Sequence, residues 1–105
     1  MKSEEIKEIL NKVRENLTEK FRDNLKCLIL YGSWAKGTAR ENSDIDLLAI
    51  FDRLEPEVRK AIHKMVWDAV RDITIEAASL DDFREEKLPL YTAIKREGEV
   101  IWGEV

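Results

Sequence analysis

Ile6, Ile9, Leu10, Val13, Leu17 and Phe21 recur at steps of three and four among charged neighbours. That period places them on one stripe of a helix over residues 3–22, with Ser3 suited to its N-cap. The pattern then changes. Residues 27–31 form an unbroken apolar run ended by Gly32, as expected of a buried strand, and a second run over 45–51 is interrupted only by Asp46. Helical period returns over 56–71, where Val58, Ala61, Ile62, Met65, Val66, Ala69 and Val70 share a face and Pro56 suits the first turn. Residues 73–78 read as a third strand, 81–86 and 90–96 as short helices, the latter stopped by Gly98, and 99–102 as a small final strand. The order predicts an α/β or α+β fold in which helices flank one small mixed sheet.

Composition adds bounds to this picture. A chain of 105 residues with 44% hydrophobic content suits one core, so a single domain over 1–105 is expected. No apolar run approaches the ~18 residues of a membrane span and no secretory signature opens the chain, which predicts a soluble, cytoplasmic protein without membrane contact. Charged residues make up 38% of the chain with both signs interspersed and a net charge of -4, which argues against general nucleic-acid binding. Cys27, the only cysteine, reads as a buried thiol inside its apolar run. His63, the only histidine, falls off the apolar stripe of its helix and reads as solvent-facing. Trp67 reads as packing or as part of a partner surface.

The chemistry gathers between the first two strands, in Gly32-Ser33-Trp34-Ala35-Lys36-Gly37 and, after a polar loop, Ser43-Asp44-Ile45-Asp46. Gly32 and Gly37 permit close backbone approach and positive φ, and a helix beginning near Ser33 aims amide N–H groups at a phosphate. The Ser33 hydroxyl adds a donor. By itself, Gly-Ser after a strand more often marks a turn. Asp44 and Asp46, two apart at a strand start, point to one face, and two carboxylates side by side repel unless a cation lies between them or one stays protonated. Oxygen-only ligation favours Mg2+ or Mn2+ shared with substrate phosphates. The other reading has Asp44 capping a turn and Asp46 at an exposed edge. Arg40 in the loop is placed to steer a triphosphate, and Trp34 either stacks on a base or packs.

Taken together, Gly-Ser followed by two aspartates separated by one apolar residue resembles the signature of the DNA polymerase β-like nucleotidyltransferase superfamily. The finer pattern, with Gly37 and Ser43-Asp44-Ile45-Asp46-Leu47, looks like the minimal nucleotidyltransferases. The resemblance implies nucleotide contacts at Gly32, Ser33, Lys36 and Arg40, a metal held by Asp44 and Asp46, and a third carboxylate on a neighbouring strand. Two residues depart from the family pattern. Lys36 stands where Arg is usual, which keeps the charge and loses the bidentate fork. Glu76 is the candidate for the usual third Asp, as catalytic and metal residue. Alternation places it with Asp72 and Thr74 on the polar face of its strand, and Asp72 is the reserve.

The implied activity is transfer of AMP from ATP, with Mg2+, to a hydroxyl of a protein partner. That partner is expected to be the HEPN-domain toxin of a prokaryotic toxin–antitoxin pair, of which this chain resembles the antitoxin half. A domain of this size leaves no room for an acceptor-gripping module of its own, and homo-oligomer formation is allowed. The alternative is an antitoxin that binds nucleotide and acts by direct contact without catalysis. A third reading, an acidic scaffold with no nucleotide role, requires the motif to be coincidence.

Overall fold

A computed structural model describes residues 4–40, 42–68 and 73–105. Its first element, α1 (Glu4–Phe21), follows the predicted stripe: Ile6, Leu10 and Leu17 are buried, and Ile9, Val13 and Phe21 pack beside them. Its predicted cap, Ser3, lies outside the described residues. The chain continues through β1 (Leu25–Tyr31), a single turn α2 (Ser33–Lys36) and β2 (Ile45–Phe51). It then forms α3 (Pro56–Trp67), β3 (Ile73–Ser79), α4 (Leu80–Arg84), α5 (Pro89–Glu97) and β4 (Glu99–Gly103). The helix expected to reach residue 71 is described as far as Trp67, with Asp68 as its C-cap, and residues 69–72 lie outside the described residues.

The strands form one four-stranded sheet in the order β3-β2-β1-β4. β1 is antiparallel to β2 and β4, whereas β2 and β3 are parallel, joined by the crossover helix α3 that a parallel pair requires. The sheet is therefore mixed and flanked by helices, as the element order predicts. β1 and β2 lie at its centre and are covered on both faces, which explains why their sequences run apolar without alternation. On one face Leu28, Leu30, Ile45, Leu47 and Phe51 pack with the buried residues of α1 and α3. On the other, Cys27, Ile29, Leu48 and Ile50 meet Phe83 of α4 and Tyr91 and Ile94 of α5. β3, at the edge, alternates instead: Ile73 and Ile75 are buried, while Thr74 and Glu76 are exposed.

Gly98 ends α5, but not through a left-handed turn. Its φ is -75°, and a Cβ there would stand 2.6 Å from Ile29 Cγ2 and 2.7 Å from the Ile94 carbonyl oxygen. Space, and not φ, demands glycine at that position. Among the described residues no helix is long and apolar enough to cross a membrane.

Cys27 is fully buried in the second core, and that burial pushes its thiol from the usual 9.0 up to about 11. A rise of this size lowers the thiolate fraction near neutral pH by roughly a hundredfold. The native protein is therefore expected to react with a thiol reagent far more slowly than the urea-unfolded chain. Equal rates with and without urea would contradict the packing of Cys27 described here.

Candidate active site

Tyr31, the last residue of β1, pairs with Asp46 near the start of β2. Antiparallel pairing thus folds the turn after β1 back against the first residues of β2. Gly32 leaves the strand at φ 74° and ψ -153°, a backbone state that is essentially restricted to glycine. Space excludes a side chain as well, because a Cβ at Gly32 would overlap Asp46 Oδ2 and stand 3.2 Å from Asp46 Cγ. The main chain of the Gly-Ser turn therefore lies directly against a carboxylate.

α2 begins at Ser33, where the sequence predicts a helix start, and its first helical bond runs from the Lys36 N–H to the Gly32 carbonyl at 3.1 Å. The Ser33 amide lies ahead of that bond, at the end of the turn that faces away from the helix body. Gly37 closes the turn in the left-handed conformation, φ 78°, with open space where a Cβ would sit. The loop that follows is tied at its far end. Arg40 N–H donates to Ser43 Oγ at 2.8 Å, Ser43 N–H donates to the Arg40 carbonyl at 2.9 Å, and the Trp34 indole N–H donates to the Ser43 carbonyl at 3.1 Å. Trp34 also packs on the first core, so of its two expected roles the structure shows the packing one. Through these bonds α2 and the residue before Asp44 hold each other in place.

Asp44 is exposed at the end of the loop, and Asp46 is half-buried on β2. Burial, and then the charge of Asp44, hold the Asp46 carboxyl above its usual 3.8. The two acids are thus close enough to repel, as their spacing predicts. Glu76 shares the face of Asp46 on the neighbouring strand: Asp46 pairs with Thr74, and Leu48 with Glu76. That offset separates the two Cα atoms by about 8 Å. Burial, followed by the charges of Asp46 and Glu76, pushes the Tyr31 hydroxyl up to about 12. Yet among the described residues no three acidic, histidine or cysteine side chains are gathered into a metal-holding group. Asp44 and Asp46 form the close pair, and Glu76 stands on the neighbouring strand, two register positions along the sheet from Asp46. The reserve acid, Asp72, lies outside the described residues.

The cations diverge from this centre. Lys36 Nζ lies 3.3 Å from Glu97 Oε2 at the end of α5, with both side chains half exposed. Arg40 is exposed on the loop, where its backbone makes the contact with Ser43. Two residues outside the predicted set join Glu76: Arg59 and His63 of α3 line the same cleft. Their four-residue spacing puts them on one helix face. Nothing in the sequence indicates that this face meets the strand bearing Glu76, and His63 is exposed, as expected, while bordering it.

Two substitutions test this geometry. Gly32→Ala is expected to cost stability at or above the upper end of the ~1–3 kcal/mol that such backbone states impose, because the methyl also displaces Asp46. Gly37→Ala, strained in φ but unobstructed, should cost only about 1 kcal/mol. Melting temperatures of the two variants decide, and equal losses would remove the close approach. For Asp46 the sign follows from its raised folded-state value: stability is complete below about pH 3.8 and falls as pH rises through the folded value. Asp46→Asn should therefore raise the melting temperature at neutral pH and have little effect near pH 3.

A profile of the family described as Polymerase beta, Nucleotidyltransferase matches residues 4–104. The relative named "Putative protein adenylyltransferase MJ1305", from Methanocaldococcus jannaschii, is 45% identical over 62 residues, which are 59% of this chain and 42% of that protein. The chain spans about half the length of the curated relatives it matches. Among solved structures, a toxin–antitoxin with AMP-PNP aligns at TM-score 0.65 and 25% identity over 90% of this chain and 73% of that one. Spectinomycin adenyltransferase AAD(9) from Enterococcus faecialis, with ATP and spectinomycin, aligns at TM-score 0.71 and 17% identity over 93% of this chain and 56% of that one, a likeness of fold. With the profile spanning nearly its whole length, this chain belongs to the polymerase beta nucleotidyltransferase family.

Proposed function

We propose that the protein transfers AMP from ATP to a hydroxyl group of a partner protein in the cytoplasm, with Mg2+ or Mn2+ between the triphosphate and the Asp44–Asp46 pair. The observation that carries this reading is the seating of the Gly32 turn against the Asp46 carboxylate, which brings the start of α2 beside two repelling acids. The donor set fits a hard cation: both are carboxylates, and their mutual repulsion is relieved by positive charge. Such an ion, when bound, would offset charge on the phosphate oxygens at the α-phosphorus. Ser33 and the amides of its turn hold a phosphate group. Lys36 exchanges Glu97 for the triphosphate, because an exposed ion pair contributes at most about 1 kcal/mol. Arg40 steers from the loop.

Glu76 stands on the acceptor side and takes the proton of the attacking hydroxyl. The hydroxyl oxygen bonds to the α-phosphorus as the bond to the β-phosphate bridge breaks, and pyrophosphate leaves. The names of the relatives agree with this assignment: one is called a protein adenylyltransferase, one neighbour is a toxin–antitoxin with AMP-PNP, and another holds ATP. On the family resemblance, the partner is a HEPN-domain toxin and this chain is its antitoxin.

Transfer of label from α-labelled ATP to the partner tests the reading. Transfer is expected with Mg2+ or Mn2+, and should vanish in EDTA and in the Asp44→Asn, Asp46→Asn double variant; ATP affinity that is indifferent to chelator would remove the metal site. Ser33→Ala should weaken ATP binding by about 1 kcal/mol, roughly fivefold, without lowering the melting temperature of the nucleotide-free protein. Glu76→Gln should abolish or greatly reduce transfer while ATP still binds. ATP binding with no transfer by the unaltered chain to its partner would instead favour an antitoxin acting by contact.

A further inference from the structure

β3 is an outer strand: among the described residues it pairs with β2 on one side only. An outer strand presents backbone N–H and C=O groups that another extended chain can pair with. Edges are commonly protected by lysine, proline or a bulge, yet the seven residues of β3 contain neither lysine nor proline and keep an unbroken register with β2. Beside this edge lies a cleft of about 390 Å3, walled on the α3 side by Arg59, His63 and Val66 and on the strand side by residues 73–77 of β3.

The geometry points to this edge as the place where the acceptor is presented: an extended segment of the partner adds as a strand beside β3, its hydroxyl-bearing side chain on the face of Glu76 and an acidic side chain against Arg59. The inference rests on the reading of Glu76 as the acceptor-side base. A strand added here lies about 4.8 Å from β3 and two such spacings from β2. Residues paired across it share a face, so the residue opposite Glu76 projects on the same side of the sheet as Asp46. Main-chain bonds to β3 supply affinity without regard to sequence, and Arg59 selects for an acidic neighbour of the hydroxyl.

A library of short peptides, each with a central tyrosine, serine or threonine between randomised flanks, is screened against the intact chain without nucleotide, and bound peptides are mapped by amide shifts. Enriched peptides are expected to carry Asp or Glu near the hydroxyl and to shift residues 73–77. N-methylation of alternate amides along one peptide edge should abolish binding, whereas the same change on the other edge should not. Arg59→Glu should weaken binding about tenfold, the scale of one lost charged contact, with melting temperature as the folding control. The N-methylated peptides keep the test independent of how that variant folds. Absence of enrichment, equal binding to Arg59→Glu, or shifts confined to the larger cleft between α1 and α3, near Ile9 and Lys64, would overturn the proposal. So would a dimer in sedimentation whose β3 amides are protected, since a second copy would then occupy the edge. Peptide docking without transfer would fault the catalytic reading alone, and transfer to the partner without peptide docking would fault this one alone.

Discussion

The antiparallel pairing of β1 with β2 is the constraint on which the site depends. Both strands are apolar along almost their whole length because helices cover each face, and the pairing register is therefore held by packing as well as by backbone bonds. A slip of one residue in β1 would exchange Leu28 and Leu30 of one core for Cys27 and Ile29 of the other, side chains of different shape. Held in register, Tyr31 sits opposite Asp46, and the chain must turn at Gly32 beside a carboxylate. The turn tolerates that approach only because the residue has no Cβ.

Electrostatics at this point work against the folded state. Asp44 and Asp46 are driven together at the mouth of an apolar strand, and the half-buried Asp46 bears both desolvation and the charge of its neighbour. Among the described residues neither Lys36, drawn to Glu97, nor Arg40, out on the loop, offsets them there. A protein that keeps such an arrangement gives up some stability at a position where added positive charge would relieve the repulsion. The short α2 and its Trp34–Ser43 tether fix the geometry in advance, so little of the turn has to be ordered when a ligand arrives.

The two sides of the sheet divide the work. α1 and α3 bury the larger core, while α4 and α5 close the other face and end in Glu97, which reaches Lys36. β3 lies where these layers leave an edge, and it carries Glu76 outward between Ile75 and Ala77, which alternation turns to the other face. Glu76 thus stands on a strand at the edge of the sheet, and the two aspartates stand beside a strand pair that is covered on both faces.

Much of this was legible in the residues alone. The helical stripe of α1, the apolar runs of β1 and β2, the alternation that exposes Glu76 and the two-residue spacing of Asp44 and Asp46 are local patterns, and local periodicity reports which side chains share a face. The Gly-Ser turn and its helix start were legible for the same reason. The pairing of Lys36 with Glu97, the Trp34 tether to Ser43, the cleft that Arg59 and His63 border together with Glu76, and the offset that keeps Glu76 apart from the aspartate pair were not, nor was the reason for Gly98. Each depends on strand order, register or the approach of residues distant in the chain. The sequence by itself determined the elements, their buried faces and the choice of acids for the candidate site. Only tertiary structure decided which of those faces meet, because the same periodicity is compatible with several strand orders until packing selects one.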